Sequence, residues 1–216
     1  MVQDTPQFVA KILLEAGCVS VNVKQPFRYS SGILSPIYCD NRLLVSDLQK
    51  RRKIIDLWAE MLKSKKLPFK MIAGTAIAGI PHAAWLSDRL DVPMVYIRDE
   101  QKGHGKRNKI EGALKKGANV LVVDDLFSTG GSVISAAEAI RAEGGIVTDV
   151  SAIFSYELPT AKENFRQAKI TVHSLSTFST LIKIAVDEQR LSKDDAQAAL
   201  EWAHDPQTWG ESHASP

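Results

Sequence analysis

The sequence predicts an α/β fold, with a mostly parallel central sheet flanked by helices. From residue 69 onward, short apolar runs alternate with segments of helical period, which is the signature of strand–helix–strand units. One of those runs, residues 120–123, leads into two carboxylates, then hydroxyls and glycines, then a helix, the usual order of strand, ligand loop and helix N-terminus. The length of 216 residues suits one domain with a sizeable core, and the 44% hydrophobic content is ordinary for a globular protein.

The elements follow in order. Thr5 and Pro6, with Phe8, Ile12 and Leu13 behind them and Gly17 at the exit, predict a first helix. Residues 19–23 alternate apolar and polar and predict a strand. Residues 26–41 read as strand, turn near Ser31-Gly32, and strand. Leu48, Ile55, Trp58 and Leu62 set a helix over 48–62, and its run Lys50-Arg51-Arg52-Lys53 reads as a solvated face before an anion patch. Then come a strand (69–73), a helix (80–90), strands (93–97 and 119–123), a helix (133–143), a strand (146–154), a short helix (161–167) and a strand (170–175). Beyond Thr177 helices dominate, the last opened by Ser192 with Asp195 in the fourth place. Residues 1–216 form a single domain in this reading. Residues 1–45 make a small N-terminal hood, and residues 205–216, without periodicity, make a loose tail.

Bulk properties narrow the partners. A net charge of +2 is too weak to argue for a nucleic-acid partner, and with too little chain before residue 26 for a winged helix and the basic excess confined to residues 98–116, none is expected. No apolar run is long enough to span a bilayer and no charged-then-apolar leader opens the chain, so no membrane partner is expected and the expected location is cytoplasmic. Cys18 and Cys39 have neither a disulfide framework nor metal-ligand spacing, and read as small buried side chains.

The string from Val120 to Ser132 carries the chemistry. Backbone N–H groups at a helix start attract phosphate, and Gly130 and Gly131 let the backbone approach it. Ser128, Thr129 and Ser132 add hydroxyl donors. Asp124 and Asp125 share the phosphate's sign, so they suit sugar hydroxyls, or Mg²⁺ organised through water. A second loop, residues 74–81, has Gly74 and Gly79 at P-loop spacing, but no Lys-Ser/Thr follows, which disfavours a nucleotide triphosphatase. A third segment, residues 98–112, has three glycines and little apolar content, and predicts a long lid or a plain solvated loop. Between Arg98 and Lys116, seven basic residues face three acidic ones.

Three motifs in this order resemble the type I phosphoribosyltransferases. The string containing Asp124, Asp125, Leu126, Phe127, Ser128, Thr129, Gly130, Gly131 and Ser132 is similar to that family's phosphoribosyl diphosphate motif, with Phe127 where an aliphatic residue is usual. The loop with Thr75 and Ala76 resembles the family's diphosphate loop. The spacing of Arg98, Lys102, His104 and Gly105 resembles the lid of orotate phosphoribosyltransferases, and residues 27–42 resemble their base-binding hairpin. The resemblance implies a type I phosphoribosyltransferase-like fold acting on orotate and phosphoribosyl diphosphate with Mg²⁺ as cofactor. No direct protein ligand to the metal is implied. It also implies a homodimer whose lid acts in the neighbouring subunit. Arg98, Lys102 and His104 would meet the departing diphosphate as the catalytic set, and Ser128, Tyr38 and Cys39 would contact orotate. Basic residues of the pattern are also absent: Ser30, Ala78 and Asp99 stand where some members are basic, and an arginine found near Tyr156 is missing. Arg28 or Arg42 is the expected replacement at the orotate carboxylate. The alternatives are a phosphoribosyltransferase for another base, or a regulator that senses phosphoribosyl diphosphate.

Overall fold

The structure, a computed structural model, describes residues 4–29, 32, 34–98 and 109–212. Helix α1 (Thr5–Glu15) carries proline in its first turn and buries Val9, Ala10, Ile12 and Leu13. Four short strands follow: β1 (Val19–Val21), β2 (Phe27–Arg28), β3 (Leu34–Ser35) and β4 (Ile37–Cys39). The expected single hairpin is split. β2 pairs with β3, but β4 turns away and pairs antiparallel with β1, Val19 opposite Cys39. Ser35 makes the bend: its Oγ donates to the Ile37 carbonyl at 2.7 Å and accepts the Ile37 N–H at 3.2 Å. A 3₁₀ turn (Asn41–Val45), capped by Asp40, leads into α2 (Leu48–Ser64), which Asp47 caps through the Lys50 N–H. The basic run on α2 is held locally. Lys50 pairs with Asp47 at 2.7 Å, and the Arg51 guanidinium donates to the Val45 carbonyl and lies 4.3 Å from the Trp85 ring centre.

The rest of the chain builds the main layer. In order these elements are β5 (Met71–Thr75), α3 (Gly79–Leu90), β6 (Met94–Ile97), β7 (Ile110–Glu111), β8 (Val120–Phe127), α4 (Gly131–Ala142), β9 (Asp149–Ser155), α5 (Pro159–Gln167), β10 (Thr171–Thr177), α6 (Phe178–Asp187), α7 (Lys193–His204) and α8 (Pro206–Ser212). The six strands lie in the order β10-β9-β8-β5-β6-β7. All pairs are parallel except β6 with β7. Val120 to Val123 are buried because helices cover both faces of a parallel sheet, which explains the unbroken apolar run.

Two expectations are corrected. The central strand does not stop at Val123. It runs through both aspartates to Phe127, because β9 continues to pair with it, Leu126 opposite Phe154 and Phe127 opposite Ser155. The loose tail is also not observed over residues 206–212. That stretch is helix α8, whose Thr208 N–H is accepted by Asp205 and whose Trp209 is buried, with Gly210 beside Leu34. One large buried aromatic offsets the ordering cost that a polar tail could not.

This strand order creates a crevice. From β5 the chain moves outward to β6, then crosses back to β8 and moves the other way to β9 and β10. Connections leave in opposite directions at β5 and β8, so their C-terminal ends flank the position where open α/β sheets bind ligands.

Candidate active site

Two glycines bring the loop after β5 close to β8. A Cβ on Gly74 would lie 2.9 Å from Ala83 Cβ and Ile80 Cα. A Cβ on Gly79 would lie 2.5 Å from Thr75 Oγ1 and 2.6 Å from the Val123 carbonyl. Thr75 Oγ1 donates to that carbonyl at 3.3 Å, and the Ala76–Ile77 peptide is cis. Ala76, Ile77 and Ala78 face Asp124 and the following loop across an open pocket of about 250 Å³.

The acidic pair forms one wall of that pocket. Asp125 is buried and Asp124 half-buried. The Asp125 N–H donates to Asp124 Oδ1 at 2.9 Å. Desolvation, joined by the like charge of Asp125, pushes the Asp124 carboxyl up to about 8, and desolvation also raises Asp125. From behind, Asn41 Nδ2 donates to the Asp125 carbonyl at 2.9 Å, while the Cys39 thiol donates to Asn41 Oδ1 at 3.3 Å. The loop itself is held by α5. Gly130 sits at φ +80° as the residue before α4, with Phe165 packed where a side chain would go, and Asn164 Nδ2 donates to the Thr129 carbonyl at 3.0 Å. Phe127 turns its ring into the core, 5.3 Å from that of Phe165. Ser128 to Ser132 thus present hydroxyls and the free N–H groups of α4 to the pocket.

A second pocket of about 250 Å³ adjoins the first through Ala76 and Ser132. Arg98 reaches its rim. The Arg98 side chain pairs with Glu111 at 2.9 Å, and its N–H donates to the Lys109 carbonyl at 3.0 Å. Lys102 and His104, and with them Asp99 and Ser30, lie outside the described residues.

The hood stands to one side. Tyr38 is 38% exposed and leans on Phe27 and Tyr29, with ring centres 5.8 and 6.3 Å away. Cys39 is buried, and its N–H donates to Tyr156 Oη at 2.9 Å, so the Cys39 amide is already committed. Burial pushes the Cys39 thiol well up and Cys18 up to about 12, so both are neutral thiols packed as apolar groups. Arg42 is held by Asp40 through two bonds of 2.6 and 2.8 Å, and Arg28 Nη1 donates to the Gly32 carbonyl at 3.1 Å. Tyr38, Cys39, Arg28 and Arg42 line neither pocket. Tyr156 and Trp202 anchor the hood from the other end of the chain. Their ring centres are 5.8 Å apart, and Trp202 Nε1 donates to the Leu34 carbonyl at 2.8 Å. The sequence reading missed Asn41, Asn164 and Trp202. Only Asn41, inside the hairpin string, had any local signal.

Known proteins match this arrangement. The phosphoribosyl transferase domain family matches residues 45–179, which contain both loops. An orotate phosphoribosyltransferase of Coxiella burnetii is 52% identical over 201 residues, covering 93% of this chain and 96% of its own. The chain belongs to the orotate phosphoribosyltransferase family. Among solved structures, the orotate phosphoribosyltransferase of Aeropyrum pernix shares 30% identity and a TM-score of 0.73, covering 85% of this chain and 99% of that one. The UMP synthase of Leishmania donovani shares 28% identity and a TM-score of 0.78, and the match covers 91% of this chain but 42% of that longer one. The hood lies mostly before residue 45, outside the general phosphoribosyl transferase match, whereas the match to the Coxiella burnetii relative covers 93% of this chain.

Proposed function

We propose that this protein transfers ribose 5-phosphate from phosphoribosyl diphosphate to orotate, yielding orotidine 5′-phosphate and diphosphate for pyrimidine biosynthesis. The observation that carries the reading is the meeting of two loops at the β5–β8 crevice, in a chain half-identical to an orotate phosphoribosyltransferase. The bond from ribose C1 to the diphosphate oxygen breaks, and a bond from C1 to the pyrimidine nitrogen forms. Positive charge grows on the sugar and negative charge on the leaving group, so positioning and electrostatics suffice without a protein nucleophile.

The roles follow from the chemistry of each wall. Ser128 to Ser132 hold the 5′-phosphate at the start of α4. Asp124 and Asp125 accept from the ribose hydroxyls, and Thr75 and Ala76 meet the diphosphate. Arg98, Lys102 and His104 close on the leaving group as its charge builds, and His104 can donate a proton there. Orotate lies between Ser128 and the hood at Tyr38 and Cys39. Arg28 and Arg42 are the candidates for its carboxylate, and alanine at both should raise the orotate KM. An unchanged KM removes them.

Two carboxylates beside an amide- and hydroxyl-lined pocket fit a hard cation held mainly by substrate oxygens and by water. Among the described residues no cluster of three or more His, Cys, Asp or Glu could cage a metal. Mg²⁺ bound with the substrate supplies charge neutralisation at the diphosphate. A homodimer is part of the reading. Leu43, Val45 and Leu48 are exposed together around the 3₁₀ turn and offer an apolar surface for a second copy. Among the described residues no helix is long and apolar enough to cross a membrane. We place the reaction in the cytoplasm.

The test is the ultraviolet absorbance of orotate mixed with phosphoribosyl diphosphate, Mg²⁺ and protein, with hypoxanthine, adenine and uracil run in parallel. Orotate consumption that needs both Mg²⁺ and phosphoribosyl diphosphate supports the reading, and Lys102→Ala should then lower kcat by ~10²-fold. Turnover of another base instead would leave the phosphate site standing and overturn the hood assignment.

A further inference from the structure

The loop after β5 is short of charge for its task. Residues 74–81 contain no lysine or arginine, yet this loop is where a diphosphate must sit. The second pocket supplies what the loop lacks. It is bounded by Thr75 and Ala76 of the loop, Ser132 and Ser135 of the first turns of α4, and the side chains of Arg98 and Lys109. Three hydroxyls, two cations and a helix N-terminus converge on about 250 Å³ of open space. Ala76 and Ser132 also border the acidic pocket, so a molecule with its sugar at Asp124 and Asp125 can extend a second anionic group across them.

We propose that Lys109, directed by Ser135, is a diphosphate-binding residue of this site. The inference rests on the phosphoribosyl transfer reading above. Lys109 is carried by the sheet edge: its carbonyl accepts the Arg98 N–H at 3.0 Å, and the next residue, Ile110, pairs with Ile97 in the β6–β7 ladder. Its ammonium donates to Ser135 Oγ at 3.2 Å, on the second turn of α4. The cation is therefore in place before substrate arrives, which avoids the ordering cost that a long side chain ordinarily incurs on binding. Its charge complements the polyanion in the ground state and more strongly as the leaving group gains charge.

The experiment compares Lys109→Met, Lys109→Arg and Ser135→Ala with wild type. The readouts are the KM for each substrate and the calorimetric affinity for inorganic diphosphate with Mg²⁺. Lys109→Met should weaken diphosphate binding and raise the phosphoribosyl diphosphate KM by about tenfold or more, the scale of one charge-assisted hydrogen bond. The orotate KM should hold within about twofold, Lys109→Arg should recover most of the loss by keeping the charge, and Ser135→Ala should cost only about threefold. Unchanged diphosphate affinity in Lys109→Met overturns the proposal. So does an equal loss in Ser135→Ala or Lys109→Arg, or a matching rise in the orotate KM, since each marks a structural tie between β7 and α4. Wild-type turnover of orotate checks the underlying reading separately, because diphosphate binding does not depend on which base is used.

Discussion

Replacing Asp124 with asparagine should make the unliganded protein more stable, by an amount that grows with pH. The Asp124 carboxyl is raised from 3.8 to about 8 by desolvation and the neighbouring Asp125. Below the unfolded value the group is neutral in both states and contributes nothing. Between the two values the unfolded chain releases its proton and the folded chain keeps it, so stability falls as pH rises. Above the folded value the penalty is complete. One unit corresponds to about 1.4 kcal/mol, but the side chain is half-buried and shares its charge with Asp125. We therefore expect about 1–2 kcal/mol at high pH. Asparagine keeps an Oδ1 to accept the Asp125 N–H that is now 2.9 Å away. For a domain of this size that gain is about 2–8 °C in Tm near pH 8.5, shrinking to little near pH 4. The assay is a thermal melt across that range without Mg²⁺ or substrate, alongside turnover, which the variant should largely lose. A variant that melts below wild type at high pH, or at a constant offset throughout, refutes the argument that this pair is held at a stability cost for its role in the site.

Three further outcomes follow from packing. Gly130→Ala forces a side chain into φ +80° with its Cβ 2.6 Å from Phe165 Cζ, so it should cost about 1–3 kcal/mol and raise the phosphoribosyl diphosphate KM more than the orotate KM. Both ring nitrogens of buried His82 lack a hydrogen-bond partner among the described residues, and burial followed by Arg51 lowers its pKa from 6.5 to about 4. As pH falls from the first value to the second, the unfolded imidazole takes up a proton that the folded one does not, so wild-type stability drops and His82→Phe should gain on wild type over that window; a pH-independent difference in Tm would count against this. Trp202→Phe removes the bond to the Leu34 carbonyl while keeping a ring, and should raise the orotate KM several-fold at the scale of about 1 kcal/mol, with the phosphoribosyl diphosphate KM unmoved. Equal rises in both would mean Trp202 supports the whole domain rather than the hood.

The parts of the fold that were readable are those written in contiguous residues. The alternating apolar runs predicted the layered sheet because parallel strands are buried on both faces, and residues 120–132 exposed their chemistry because one contiguous stretch, the end of β8 and the loop after it, supplies the acids, hydroxyls and glycines. Two-residue strands such as β2, β3 and β7 are too short to show a period. The extension of β8 past Val123 depends on β9 and leaves no mark in the hydropathy of β8 itself. The helix at residues 206–212 buries Trp209 and lays Gly210 against Leu34, a neighbour from the far end of the chain.

The same distinction separates the two halves of the site. The phosphate recognition proposed above would use backbone N–H groups and glycine geometry within single loops, so it is local and could be read directly. The hood is assembled at long range: Asn41 reaches Asp125, Tyr156 receives the Cys39 N–H, and Trp202 reaches Leu34. Each bond joins segments that no sequence window contains. The Asn41 bond also links the halves, since it ties the turn after β4 to the carbonyl of an acidic residue that lines the pocket. In the orotate reading proposed above, this one buried amide is the route by which a base seated between Ser128 and the hood would bear on the backbone of Asp125.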